Sequence, residues 1–209
     1  MVLCTQFAFA VDYDVWQSTE QALYQFTGSN TDGENLTSDH WIIARNDEES
    51  GRLVGATQYI PIDYNSDGEP IYELMIMGQT MGDGNSPLDC NTTQTCGQMF
   101  PGQIPQFYIY DPELGEIKAH NIAADGTVLQ NIPAFFALDL NIGLTLNLIT
   151  DCNSNLGGAA VTSGHCGDCW GGNTGLELNY MDTDNDGVCN DGSANGEDDN
   201  CPNTPNENQ

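Results

Sequence analysis

Carboxylates alternate with other side chains in the run Asp182-Thr183-Asp184-Asn185-Asp186-Gly187. Acids at the first, third and fifth positions of a loop converge on one point, and a glycine after them permits the sharp turn that wraps the chain around an ion. Oxygen ligands of this kind suit a hard cation, and calcium is the expected one. An EF-hand would place a bidentate Glu at its twelfth position, but Ser193 stands there and no amphipathic helix flanks the loop, so that motif is excluded. Val188, Asp191, Asp198 and Asp199 are the further residues expected to hold the ion. The competing reading is a disordered acidic tail, the usual fate of acidic, aromatic-poor segments. The chain is almost devoid of apolar residues after Tyr180, so ion–oxygen bonds would have to replace a core there.

A second run, Asp63-Tyr64-Asn65-Ser66-Asp67-Gly68, repeats the spacing with Asp63, Asn65 and Asp67 as candidate ligands. It lies between two strands, where Asn, Asp and Gly also serve simply as turn formers.

The eight cysteines are the other chemical resource, and their even number fits disulfide pairing. Cys90 and Cys96 share one polar loop, which implies a local bridge. Cys152, Cys166, Cys169, Cys189 and Cys201 are expected in disulfides as well, with Cys4 remaining, and their connectivity is open. Cys166-Gly167-Asp168-Cys169 has the spacing of a redox motif, but no βαβ pattern surrounds it. With Cys152 and His165 it could supply half of a zinc site, a reading that competes with structural disulfides.

Catalytic constellations are missing. The sequence has no Gly-x-Ser-x-Gly elbow, no His-Glu-x-x-His and no phosphate-binding glycine loop, and its three histidines are scattered. The expectation is a protein that is not an enzyme.

The elements that must position these residues read as β. Candidate strands from period-two alternation are Gln21–Phe26, Trp41–Asn46, Arg52–Ile60, Ile71–Met77, Gln106–Tyr110, Glu116–Asn121, Ala134–Leu140 and Ile142–Leu148. Turn signals such as Asp32-Gly33, Asp67-Gly68 and Asp125-Gly126 separate them. Short strands at this spacing imply an all-β antiparallel β-sandwich, followed by an irregular extension stabilised by disulfides and calcium. The expected organisation is an N-terminal strand over 1–14, a sandwich over 15–150, a Gly/Cys-rich linker over 151–180 and a calcium-binding segment over 181–209. In the first of these, Leu3, Thr5, Phe7, Phe9, Val11 and Tyr13 share one face, and Phe7, Phe9 and Val11 would anchor the strand in a neighbouring subunit. A signal-peptidase site ending at Ala10 is the alternative for this stretch.

Formal charge is −28, with Arg45, Arg52 and Lys118 as the only basic side chains besides histidine. Such a chain repels nucleic acid and anionic membrane surfaces. No apolar run approaches the ~20 residues needed to cross a bilayer as a helix. Asn35 and Asn91 satisfy the glycosylation sequon.

Three stretches carry a resemblance. Asp182–Gly187 with Cys189 and the Asp199-Asn200-Cys201-Pro202 phrase resembles a thrombospondin type 3 repeat, a family in which a hydrophobe-poor chain winds around calcium ions and is pinned by disulfides. Gln21–Phe26, Asp39-His40-Trp41-Ile42-Ile43-Ala44, Leu53-Val54-Gly55-Ala56 and Met99–Asp111 look like a β-sandwich module of secreted bacterial surface and adhesin-like proteins. Asp151-Cys152 to Gly175 resembles a Gly/Cys linker found in the same context, with His165 where that linker often has an acid. The resemblance implies an extracellular structural protein, a subunit of a surface fibre or adhesin at the cell surface that self-associates head to tail. The alternative is a carbohydrate-binding sandwich, in which Trp16, Trp41, Tyr59, Tyr64, Tyr72, Tyr108 or Tyr110 would stack on surface glycans.

Overall fold

A computed structural model describes residues 13–27, 36–46, 51–80, 95–122, 128–129, 131–192 and 198–206. Every regular element among them is a strand: β1 Gln21–Thr27, β2 Trp41–Arg45, β3 Leu53–Gln58, β4 Asp63–Tyr64, β5 Pro70–Met77, β6 Gln106–Asp111, β7 Gly115–Lys118, β8 His120–Ile122, β9 Val128–Leu129, β10 Leu140–Leu144, β11 Leu146–Asn147, β12 Val161–Ser163 and β13 Asp168–Trp170. No helix among the described residues is long and apolar enough to cross a membrane.

Two four-stranded sheets, ordered β10-β1-β5-β4 and β3-β2-β6-β7, share one apolar core. Alternation produces it: Ala22, Tyr24 and Phe26 of β1 and Tyr72, Leu74 and Ile76 of β5 point inward from one sheet. Ile42 and Ala44 of β2 and Phe107 and Ile109 of β6 meet them from the other. Phe107 is the contact at the centre, its ring 5.6 Å from Tyr24 and 5.1 Å from Phe26 in an edge-on arrangement.

The ladders are antiparallel except one: β10 runs parallel to β1, with Leu23 opposite Leu140 and Tyr24 opposite Asn141. The expected strand over Ala134–Leu140 does not form up to Asp139. Its backbone bonds elsewhere: Phe135 donates to the Gln103 carbonyl at 2.7 Å and accepts from Gly102 at 2.8 Å, while Leu138 donates to Gln21 at 2.6 Å. Phe135 is thereby sunk in the core, and Leu138 takes a positive φ of 69°. The expected strand Ile142–Leu148 is broken into β10 and β11. Its apolar alternation is real, yet Ile142 is 63% exposed while Leu144, Leu146 and Leu148 are buried. Thr145 leaves the ladder to donate its N–H to Asn121 Oδ1 at 3.1 Å, and the chain passes from the first sheet to the small sheet β11-β8-β9. Glu116–Asn121 divides likewise, because Ala119 turns into the core between β7 and β8.

Behind the sandwich the linker packs against β7. Gly157 has φ 70°, and a Cβ there would stand 2.6 Å from Ile117 Cγ2 and 2.7 Å from the Lys118 carbonyl oxygen, so only glycine allows this approach. Asp151 organises the linker's first turn. Its Oδ1 accepts the peptide N–H groups of Asn153 and Asn155 at 3.0 and 2.8 Å, and its Oδ2 accepts that of Ala160 at 3.0 Å. Hairpin β12–β13 follows, with Val161 opposite Trp170.

At the start of the described chain, Tyr13 lies on the outer face of the second sheet, 5.6 Å from Trp41 and 5.8 Å from Tyr110. Its hydroxyl donates to Glu116, which Arg45 grips with two nitrogens at 2.9 and 2.7 Å. Cys4, Phe7, Phe9 and Val11 lie outside the described residues, as do Asn35, Cys90 and Asn91.

Candidate metal centre

Residues 181–190 form a pinched loop. Asn190 donates its peptide N–H to the Met181 carbonyl at 2.6 Å, and Cys189 is bridged to Cys166 of the β12–β13 turn. Within the loop, side chains cap the backbone: Asp182 Oδ2 accepts from Gly187 N–H at 3.1 Å, and Asp186 Oδ1 from Val188 N–H at 2.9 Å. Asn185 sits at φ 59° and Gly187 at φ 91°, the two left-handed residues that fold Asp186 back toward Asp182 and Asp184. As a result one carboxylate oxygen each of Asp182, Asp184 and Asp186 lies within 4.8 Å of the others.

The cluster is set in a part-buried place. Asp182 is only 2% exposed, and its Oδ1 has no hydrogen-bond donor. Asp184 Oδ2, Asp199 Oδ2, Asn190 Oδ1 and Asn206 Oδ1 are buried without a donor too. Each such acceptor costs about 1–3 kcal/mol if nothing satisfies it. Asn190 Nδ2 is engaged by Thr183 Oγ1 at 2.8 Å and Asn206 Nδ2 by Asn200 Oδ1 at 3.3 Å, which leaves the amide oxygens as the unsatisfied atoms. Loss of solvation, and then the charges of Asp186, Asp199 and Asp182, push the Asp184 carboxyl above its ordinary value. An all-oxygen donor set with this much uncompensated negative charge fits calcium better than a metal that prefers nitrogen or sulfur.

Not every residue expected from sequence joins the cluster. Asp199 is buried, and Asp191 and Asp198 are exposed, but all three stand outside the group that Asp182, Asp184 and Asp186 form. Val188 contributes a peptide N–H to Asp186. The donorless amide oxygens of Asn190 and Asn206 have no counterpart in the sequence reading, because asparagine in a polar tail carries no spacing signal of its own. At the other run, Asn65 Oδ1 already accepts the N–H groups of Asp67 and Glu69 at 3.0 and 2.9 Å, and Asp63 and Asp67 are exposed. That geometry is a hairpin turn between β4 and β5.

Two disulfides among the described residues, Cys152–Cys169 and Cys166–Cys189, each join α-carbons 5.7 Å apart. They remove the half-site for zinc, because neither sulfur pair is available as thiolate; the grouping of His165 with Cys166 and Cys189 is a consequence of that bridge. Cys96 is disulfide-bonded, with its expected partner Cys90 outside the described residues. Cys201 corrects the expectation of a bridge: it is an exposed free thiol, since Cys166 has taken Cys189 and Cys152 has taken Cys169. Disulfides form and persist in oxidising environments, the kind of environment these bridges indicate.

Comparison with known proteins finds no matching family model, no matching curated protein and no matching solved structure.

Proposed function

We propose that this chain is a non-catalytic structural module of an extracellular surface fibre or adhesin-like assembly, in which calcium takes the place of a hydrophobic core in the C-terminal extension. The observation that carries this reading is the convergence of Asp182, Asp184 and Asp186 around buried oxygens that lack donors, in a chain of formal charge −28. Bound calcium would relieve charge repulsion and satisfy those oxygens together. The disulfide-pinned linker supports the same assignment, as a rigid mount between sandwich and cation loop. Head-to-tail association through residues 1–14 belongs to this proposal, with Phe7, Phe9 and Val11 as anchors. A sugar platform has less support: Tyr59, Tyr72 and Tyr108 are buried, and Tyr13 lies against Trp41 and Tyr110.

Isothermal titration of the purified protein with calcium chloride tests the reading. Saturable binding, abolished in the Asp182→Asn/Asp184→Asn double variant, is expected. A wild-type protein that binds no calcium would sink it. Negative-stain images of the same material should show filaments that are lost when residues 1–12 are deleted.

A further inference from the structure

Between the outer face of the second sheet and the linker lies a cleft of about 480 Å³, within the roughly 300–1,000 Å³ of small-ligand sites. Strand alternation supplies one wall. Tyr108 of β6 stands opposite Lys118 of β7, and Gln106 and Glu116, two residues before each, come up on the same face. The other wall is the chain at 157–159 and 172–173, where Asn173 alone has a polar side chain. Packing keeps that wall bare. A Cβ on Gly158 would stand 2.0 Å from Asp151 Oδ2, and one on Gly172 would stand 2.6 Å from the Ala160 nitrogen. The linker closes on the sheet only with glycine at these positions, and closing leaves a space that no side chain fills.

The charges around this space do not cancel. Glu116 is already engaged: Arg45 grips it with two nitrogens, and the Tyr13 hydroxyl donates to it. Its charge is thereby offset, which leaves the Lys118 ammonium as the net charge of the cleft. Lys118 is exposed and pairs with no acid among the described residues, in a chain with 31 acids and three Lys or Arg. One ammonium, the amides of Gln106 and Asn173 and a tyrosine side chain match a ligand with one negative charge and several hydroxyls. We infer that the cleft binds a hexuronic acid, its carboxylate on Lys118 and its ring hydroxyls on Gln106 and Asn173. A single sugar acid is specified rather than a polyuronide, because a formal charge of −28 repels every further carboxylate that Lys118 does not meet. The site adds a small-molecule ligand to the structural role and shares no residue with the 181–190 loop.

Titration calorimetry and saturation-transfer NMR on the full, disulfide-intact chain test the site, with sodium galacturonate as the probe, in calcium chloride and again in EDTA. Saturable binding, equal in the two buffers, is expected. Galactose and acetate should each bind about tenfold or more weakly, since each lacks half of the recognised groups, and trigalacturonate should bind less tightly than the monomer. Lys118→Met, which keeps the apolar stem at an exposed position, should lower galacturonate affinity by about tenfold or more, and Lys118→Arg should keep most of it. The site is overturned by galacturonate that does not bind, that binds no better than galactose or acetate, or that binds Lys118→Met as tightly as wild type. Tighter binding of trigalacturonate, or binding of galacturonate only when calcium is present, overturns it as well. Each of these outcomes leaves the calcium reading standing, and a wild-type chain that binds galacturonate but no calcium would sink that reading and keep the cleft.

Discussion

His165 Nε2 lies 2.9 Å from Asp182 Oδ2, joining a half-exposed ring on the β12–β13 turn to a carboxylate that is almost wholly buried. That contact and the adjacent Cys166–Cys189 bridge clamp the first acid of the loop from the linker side. The linker thus orients Asp182, with Oδ2 spent on His165 and Gly187 and Oδ1 left buried without a hydrogen-bond donor.

His165→Ala should therefore reduce calcium affinity by about tenfold, the usual consequence of removing a group that orients a metal ligand. His165→Gln, which keeps a donor, should recover part of it. Titration calorimetry on both variants checks this, and equal affinities for wild type and His165→Ala would contradict the clamp.

Thiol chemistry should divide the cysteines cleanly. Without reductant, iodoacetamide should label Cys201 and leave Cys152, Cys166, Cys169 and Cys189 intact, as read by peptide mass spectrometry. The Cys166→Ser/Cys189→Ser double variant should cost the C-terminal extension about 2–5 kcal/mol, the range for a native disulfide in a small domain. Differential hydrogen exchange would place that loss in the extension, with the sandwich unchanged.

In the sandwich, Phe107→Ala removes the ring that Tyr24 and Phe26 both pack against. A loss of about 3–5 kcal/mol in urea unfolding is expected for a fully buried phenylalanine.

Gly157→Ala tests how the linker is seated. The added methyl would need to displace Ile117 or the backbone at Lys118, at a φ that alanine disfavours. A cost of about 1–3 kcal/mol follows, seen as faster exchange in residues 151–160.

Acid should loosen the same turn. The peptide N–H of Asn155 leads the groups that hold the Asp151 carboxyl below its ordinary value, against the opposing effect of burial, with Ala160 and Asn153 helping. At Asp111 burial again opposes, and the N–H groups of Leu114 and Glu113 and the His40 ring prevail to lower it. Because both folded values lie below the unfolded one, their stabilisation is complete above the ordinary carboxylate range. It is lost as pH falls through the depressed folded values, below about pH 4. Asp151→Asn should flatten part of that acid limb in a pH series of thermal melts; an unchanged slope would show that Asp151 is not a source of it.

Local features were readable from the chain itself. Alternating acids and Gly187 set the path of six consecutive residues, and a short loop has few ways to place Asp182, Asp184 and Asp186 except around one point. Period-two alternation marked β1 and β5, because a strand buried on one face has to alternate, whereas β2 and β6 read as short apolar runs and are buried on both faces over Ile42–Ala44 and Phe107–Ile109. What joins distant segments was decided only in three dimensions. Ile142 alternates as faithfully as Leu144, yet it is exposed because β10 sits at a sheet edge beside β1 and the chain leaves that sheet at Thr145. Asp198 and Asp199 are neighbours with the same side chain, but the Asp199 N–H bond to the Cys189 carbonyl turns only the second one inward. Cysteine pairing followed the same logic: Cys166 takes Cys189 because the β12–β13 turn rests against the 181–190 loop, a proximity created by packing and invisible in sequence spacing.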